Sequence, residues 1–351
     1  MSVLTHDALA AWDVRADDFP DQGEAREKLA FLLRYAILAP TGHNTQPWLF
    51  GLEGDTVELY ADRARALPVV DPDDRELTIS CGAALLNLRV ALRRFGYRDD
   101  PVELLPDPAE RDLLARVRLV PGRPVTAEEV QLFEAILRRR TTRAAFEEGA
   151  LPAEVRRGLA EDAAREGAWL HPVDDRAREE VAELVAEGDR AQMADKHFRR
   201  ELAAWTHPNR SRSARGMRGY GFGFGDLISV GTPLVIRTFD LGKGQAAKDR
   251  ELVRHSPLLA VLGTDADTPR AWLAAGQALE RVLLRACAHG LTASFLNQPV
   301  EVETLRPRLA EAIARSGSHP QLVLRFGVGP DLPHSPREAP ENVITDPGRD
   351  G

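Results

Sequence analysis

Two stretches of this chain repeat one another: CGAALLNLRVALRRFG at 81–96 and AGQALERVLLRACAHG at 275–290. Their glycines coincide, Gly82 with Gly276 and Gly96 with Gly290, as do Ala84 and Leu85 with Ala278 and Leu279. The first copy is a strongly apolar helical run that Gly96 closes in the manner of a C-cap, and the second lies on the same kind of helix. Self-similarity of this kind predicts two structurally related halves. Five prolines between Asp99 and Thr126 precede a helix-start signal, Thr126 with Glu129, in which hydroxyl and carboxylate satisfy each other's free backbone donors. The join is placed there, giving a first half of residues 1–125 and a second of 126–351. From Gly167 to Gly276 the second half runs more than twice as long as the first does from Ala39 to Gly82. An insertion is therefore expected at about 185–250, and long irregular insertions in compact domains are usually lids or binding loops. The Pro-rich end, 330–351, reads as an extended arm lying on the body.

With 43% hydrophobic and 28% charged side chains among 351 residues, the composition is ordinary for a globular protein with a sizeable core. The formal charge of −8 gives no general attraction for nucleic acid or an anionic membrane. Cys81 and Cys287 lie in apolar helical patterns and read as buried reduced thiols. No apolar run reaches the length of a membrane helix, and the first residues lack the pattern of a secretion signal, so a cytoplasmic protein is expected.

Arg34–Trp48, RYAILAPTGHNTQPW, joins an apolar helix to a polar loop bounded by Pro40 and Pro47. Asn44 and Gln46 stand two apart, so in an extended loop they point the same way, each offering donors and an acceptor. That suits a ligand edge with alternating N–H and C=O groups; a polar turn bonded to its own backbone is the commoner use of such residues. RRRTTRAAF ends a later helix, where basic residues already complement the helix dipole. Arg139, Thr141 and Arg143 also alternate there, and two guanidinium forks with a hydroxyl could grip a phosphate. RSRSARGMRGYGFGFG, inside the insertion, could stack nucleic acid bases on Tyr220, Phe222 and Phe224. The acidic whole favours a mobile aromatic lid instead. Metal-site, nucleophile-elbow and phosphate-loop patterns are absent, and His171, His255 and His289 default to structural or surface roles. Difficult chemistry would have to come from a cofactor.

ILAPTGHNTQPWLF resembles the A-P-S-x-x-N-x-Q-P-W signature of the nitroreductase superfamily. RRRTTRAAF resembles its basic R-R-S-x-R-x-F stretch, HSPR at 334–337 its C-terminal arginine arm, and AGQALERVLLRACAHGLTASFLN its core-helix segment. RELTISCGAALLNLRVAL, the double length and the insertion look most like the Acg-type subgroup. The resemblance implies an α+β fold of mostly antiparallel sheets flanked by helices, the two halves forming a single-chain pseudo-dimer with one FMN. Carried over, Arg139, Thr141, Arg143 and Arg337 would hold the phosphate and ribityl end. Thr41, His43, Asn44 and Gln46 would meet the ring or ribityl edge, and Leu296, Asn297 and Gln298 would pass beside the ring with backbone donors. Asn297 stands where many members have an acidic residue. The implied activity is hydride uptake from NADPH or NADH and reduction of a small-molecule acceptor, nitro, quinone or similar, with no protein nucleophile. The double-length subgroup also implies a flavin-storing or stress protein with a covered FMN as an alternative, and a specialised FMN-dependent dehydrogenase of a biosynthetic intermediate is a third.

Overall fold

In the computed structural model, which describes residues 9–100, 102–104, 112–222 and 226–345, the first half opens with helix α1 (Ala25–Ala36). Leu29, Leu32, Leu33 and Ala36 are its buried face. A hairpin follows, β1 (Trp48–Glu53) and β2 (Thr56–Ala61), whose two-residue turn sets Gly54 at φ +58°, a conformation that suits glycine. Helix α2 (Arg75–Arg94) and strands β3 (Val102–Leu104) and β4 (Leu113–Arg118) complete it. The expected capping box of Thr126 and Glu129 starts α3 (Ala127–Arg138). Then come α4 (Ala153–Arg165), β5 (Trp169–Pro172), α5 (Asp175–Ala194) and α6 (Lys196–Ala204). The short β6 (Thr206–His207) and β7 (Met217–Arg218) lead to α7 (Asp226–Thr238) and α8 (Gly242–Arg254). The chain closes through β8 (Leu258–Thr264), α9 (Pro269–Ala288), β9 (Thr292–Phe295), α10 (Gln298–Glu301), α11 (Arg306–Ala312), β10 (His319–Gly327) and β11 (Ile344–Thr345).

The fold is α+β. One sheet has the order β11-β1-β2-β4-β3 and the other β5-β8-β10-β9, with β6 and β7 forming a small ribbon. Both large sheets are antiparallel except where β11 joins β1. The repeat lies at the centre: α2 and α9 cross at their own matching glycines. A Cβ on Gly82 would lie 2.2 Å from the Leu273 carbonyl oxygen, and one on Gly276 would lie 2.0 Å from that of Ile79. No side chain fits at either position, so the crossing is a reciprocal backbone contact. Gly96 and Gly290, the other matched pair, end the two helices at φ +83° and +74°.

The halves interlock. Leu132, Phe133 and Ile136 of α3 pack into the core formed by α1, β1 and β2, and β11, the last described strand, pairs with β1 through Phe50 and Ile344. The region at about 185–250, expected to be irregular, is mostly helical. Val181, Leu184 and Val185 of α5 and Val253 of α8 pack against Leu259, Val261 and Val323 of the second sheet. Their helical spacing makes α5 and α8 core elements; the irregular chain is concentrated between α6 and α7. Among the described residues no helix is long and apolar enough to cross a membrane.

Candidate functional site

Helix α1 gives out just before Pro40, which disfavours helical geometry at Ala39. The loop after it turns sharply, with His43, Asn44 and Gln46 all left-handed at φ 48°, 56° and 52°. The extended alternation expected of Asn44 and Gln46 is thus absent. Their carboxamides converge all the same, because the turn brings both Asn44 Nδ2 and Gln46 Nε2 to the Ala214 carbonyl, at 3.4 and 2.8 Å. Thr41 pins the turn from within: its hydroxyl accepts from the Gln46 N–H at 3.1 Å.

A cavity of about 290 Å³ opens beside this loop, with Thr41, His43 and Asn44 on its wall. Arg139, Thr141 and Arg143 face it from the segment after α3, which leaves the helix in extended geometry at Arg139 and is drawn alongside β9 by a parallel bridge from Thr141 to Ala293. Arg337 reaches the same cavity from the C-terminal arm, and Asn297 and Gln298 from the turn after β9. Segments far apart in the chain thus bring these expected residues together. Two others stand behind the wall. Gln46 is fully buried, and Leu296 sits in the core, with its N–H donated to the Val323 carbonyl at 2.9 Å. The Leu296 backbone donor is therefore committed to the sheet. Of the aromatic residues expected in the lid, Tyr220 lines the cavity. Phe222 ends a 3-10 turn, and Phe224 lies outside the described residues.

The electrostatics are those of an anion site. Arg139 and Arg337 are almost wholly buried, yet each has an Nε without a hydrogen-bond partner. The remaining nitrogens of Arg337 bond the Leu38 and Ala39 carbonyls at 3.2 and 3.0 Å and Asn44 Oδ1 at 2.8 Å, holding the arm on the end of the α1 segment. Burial, reinforced by Arg139, pushes Arg337 down to about 9. Glu280 of α9, fully buried 3.5 Å from Arg139 Nε, is the neighbouring countercharge, and burial lifts its carboxyl to about 7. His43 is neutral at neutral pH, burial and then Arg143 pushing it down to about 4. Arg143 is exposed on the cavity wall and His43 is half-buried there.

The insertion and the arm close the rim. Asn44 Nδ2 donates to the Gly216 and Pro336 carbonyls at 3.2 and 3.1 Å, and Gln46 Oε1 accepts from the Glu338 N–H at 2.9 Å. Tyr220 Oη donates to the His334 carbonyl at 2.9 Å, Arg215 pairs with Glu338, and the His334 ring stacks on Trp12 with centroids 3.7 Å apart. Sequence reasoning missed several wall residues: Trp12, Arg140, His334, and a group of polar side chains comprising Glu76, Gln192 and Glu301. Arg140 stood in the basic stretch and His334 in the arm motif, so both were within reach. Trp12 and the carboxyls carried no local signal.

A cavity walled by Arg139, Arg140, Arg143 and Arg337 in an α+β fold has the charge to suit an anionic small molecule or cofactor. No family model matches the chain. "Putative NAD(P)H nitroreductase Rv3131" of Mycobacterium tuberculosis is 33% identical over 93% of this chain and 92% of its own length. A second protein of that organism, with the same name but for the ending acg, is 27% identical over 93% and 96%. The crystal structure of the FMN-dependent nitroreductase NfnB from Mycobacterium smegmatis in complex with NADPH overlaps 61% of this chain and 96% of its own, at 16% identity and a TM-score of 0.40. The chain belongs to the nitroreductase family, as its similarity to Rv3131 shows.

Proposed function

We propose that this protein is an FMN-dependent oxidoreductase, one FMN per chain, that takes hydride from NADPH or NADH and reduces a small-molecule acceptor such as a nitro compound or a quinone. The observation that carries the reading is the cluster of Arg139, Arg140, Arg143 and Arg337 on one cavity wall, Arg139 and Arg337 almost wholly buried and Glu280 the buried carboxyl beside Arg139. A phosphate dianion offsets that charge. Thr141 adds a hydroxyl donor for the phosphate or ribityl end. Thr41, His43, Asn297 and Gln298 offer polar groups to the ring, while Asn44 and Gln46 shape the wall by holding the insertion and arm in place. When bound, FMN supplies the electron relay, and this chain supplies position, charge and exclusion of water. The two halves act as a pseudo-dimer within one chain, in the cytoplasm, without nucleic acid or membrane partners.

The test is spectroscopic. The purified protein, loaded with FMN if necessary, is expected to be yellow and to bleach promptly when mixed anaerobically with NADPH or NADH. The knitted rim favours one other reading, a flavin-storing protein: Tyr220, Arg215 and the two carboxamides tie the insertion to the arm over the cavity. Stable yellow colour with both donors would select storage. A colourless protein that cannot be loaded would overturn both.

A further inference from the structure

Glu76 and Glu301 face the cavity from the start of α2 and the end of α10. Glu76 lies between the two segments assigned above to the ring. Its Oε2 is 3.9 Å from where a Cβ on Gly42 would stand, and its Oε1 accepts from Asn297 Nδ2 at 3.4 Å. Arg75 Nη2 approaches the same Oε1 at 3.0 Å, and Gln192 Nε2 of α5 donates to Glu301 Oε2 at 2.5 Å. The other charged groups acting on the pair are Asp71, ahead of α2, and Asp189 of α5. Arg75 and the N-terminus of α2 favour the ionised form; burial, the mutual repulsion of the two glutamates and Asp71 oppose it. The carboxyls of both glutamates are held well above the usual range, burial being the largest cause. Arg75 Nη2, bonded to Glu76 Oε1, also donates to the Val300 carbonyl, one residue before Glu301, at 3.3 Å, and two carboxylates brought to one guanidinium in this way cannot both ionise cheaply.

We propose that Glu76 and Glu301 share one proton at the cavity wall and that Glu76 delivers it to the acceptor during reduction. The proposal rests on the oxidoreductase reading. With a quinone acceptor the sum is NAD(P)H + H⁺ + quinone giving NAD(P)⁺ + hydroquinone. The hydride originates on the nicotinamide. The Glu76 O–H bond breaks as a hydroquinone O–H forms, leaving the pair doubly ionised beside Arg75. That state takes its proton back from solvent, since repulsion within the pair favours recapture.

The test uses the FMN-loaded full-length protein. Glu76→Gln is expected to retain FMN and to lower kcat for quinone reduction by about 10²-fold, the usual worth of a positioned proton donor. Wild-type kcat should fall as pH rises through the raised range of the pair, and Glu76→Gln should lose that limb. Glu301→Gln, which removes the repulsion, should move the limb to lower pH with less loss of rate. A purely structural glutamate would not shift it. Independently of turnover, infrared difference spectra at neutral pH should show a protonated carboxyl band, shifted in D₂O and lost in Glu76→Gln. Absence of that band in the wild type overturns the proposal. So does an unchanged kcat and pH profile in Glu76→Gln, while wild-type turnover leaves the oxidoreductase reading standing. If the wild type reduces no quinone or nitro acceptor, both readings fall together.

Discussion

His43, Asn44 and Gln46 hold left-handed backbone conformations that disfavour side-chain-bearing residues by about 1–2 kcal/mol each. The contacts to Ala214, Gly216, Pro336, Arg337 and Glu338 keep them there. Those partners come from the insertion and the arm, so the sequence around Asn44 contains nothing of what it meets. The pairing of the two carboxamides was foreseeable; the left-handed turn that achieves it was not. Glu76 was illegible for another reason, because an acidic residue at the second position of a helix is what the helix dipole favours anyway. Residue roles separate cleanly among the arginines. Arg143→Ala should weaken FMN binding by roughly 10–100-fold, the worth of a charged hydrogen bond, and leave the melting temperature nearly unchanged; fluorescence titration and thermal unfolding check it. Arg139→Ala should destabilise the fold by on the order of 3 kcal/mol, since it strands Glu280, with protonation of that carboxyl relieving part of the loss. Adding Glu280→Gln should restore most of the stability and none of the FMN affinity.

Helices α2 and α9 show what a repeat in sequence can reveal. Gly82 and Gly276 are legible because a backbone crossing admits no side chain and so imposes the same residue on both copies. Gly82→Ala or Gly276→Ala should cost about 1–3 kcal/mol or more through overpacking at a site where the obstructing atom is a carbonyl of the other helix; urea unfolding of each variant measures it. The hairpin of β1 and β2 was equally plain from its alternating residues and turn. Helices α5 and α8 were obscured because their apolar faces are met by the second sheet, and a helix in an insertion has no counterpart in the other half against which to be recognised. The crossover of α3 and β11 into the first half is likewise a matter of partners, which one-dimensional spacing does not specify.

For the molecule as a whole, the buried ionisable groups make stability depend on pH. Glu280 is raised to about 7 and Asp189 to about 8, chiefly by burial. Each binds a proton more tightly folded than unfolded, so stability falls as pH rises from the ordinary carboxylate range through those values. His43 and His334 are depressed to about 4 and about 3, again first by burial. They work oppositely, with stability lost as pH falls below the ordinary histidine value toward theirs. The two trends oppose each other under acidic conditions, and only the carboxyl trend remains above about pH 6.5. The melting temperature should therefore decline from about pH 6.5 toward about pH 8, and Glu280→Gln should flatten that decline; scanning calorimetry across the range decides it. The pairing of β11 with β1 carries a further consequence. Arg337 and the Leu38 carbonyl it binds are 299 positions apart, and during synthesis the arm leaves the ribosome long after the first strands. Until the arm is made, β1 has an open sheet edge and the cavity lacks a wall, so a nascent chain stalled or clipped before the arm carries no assembled site.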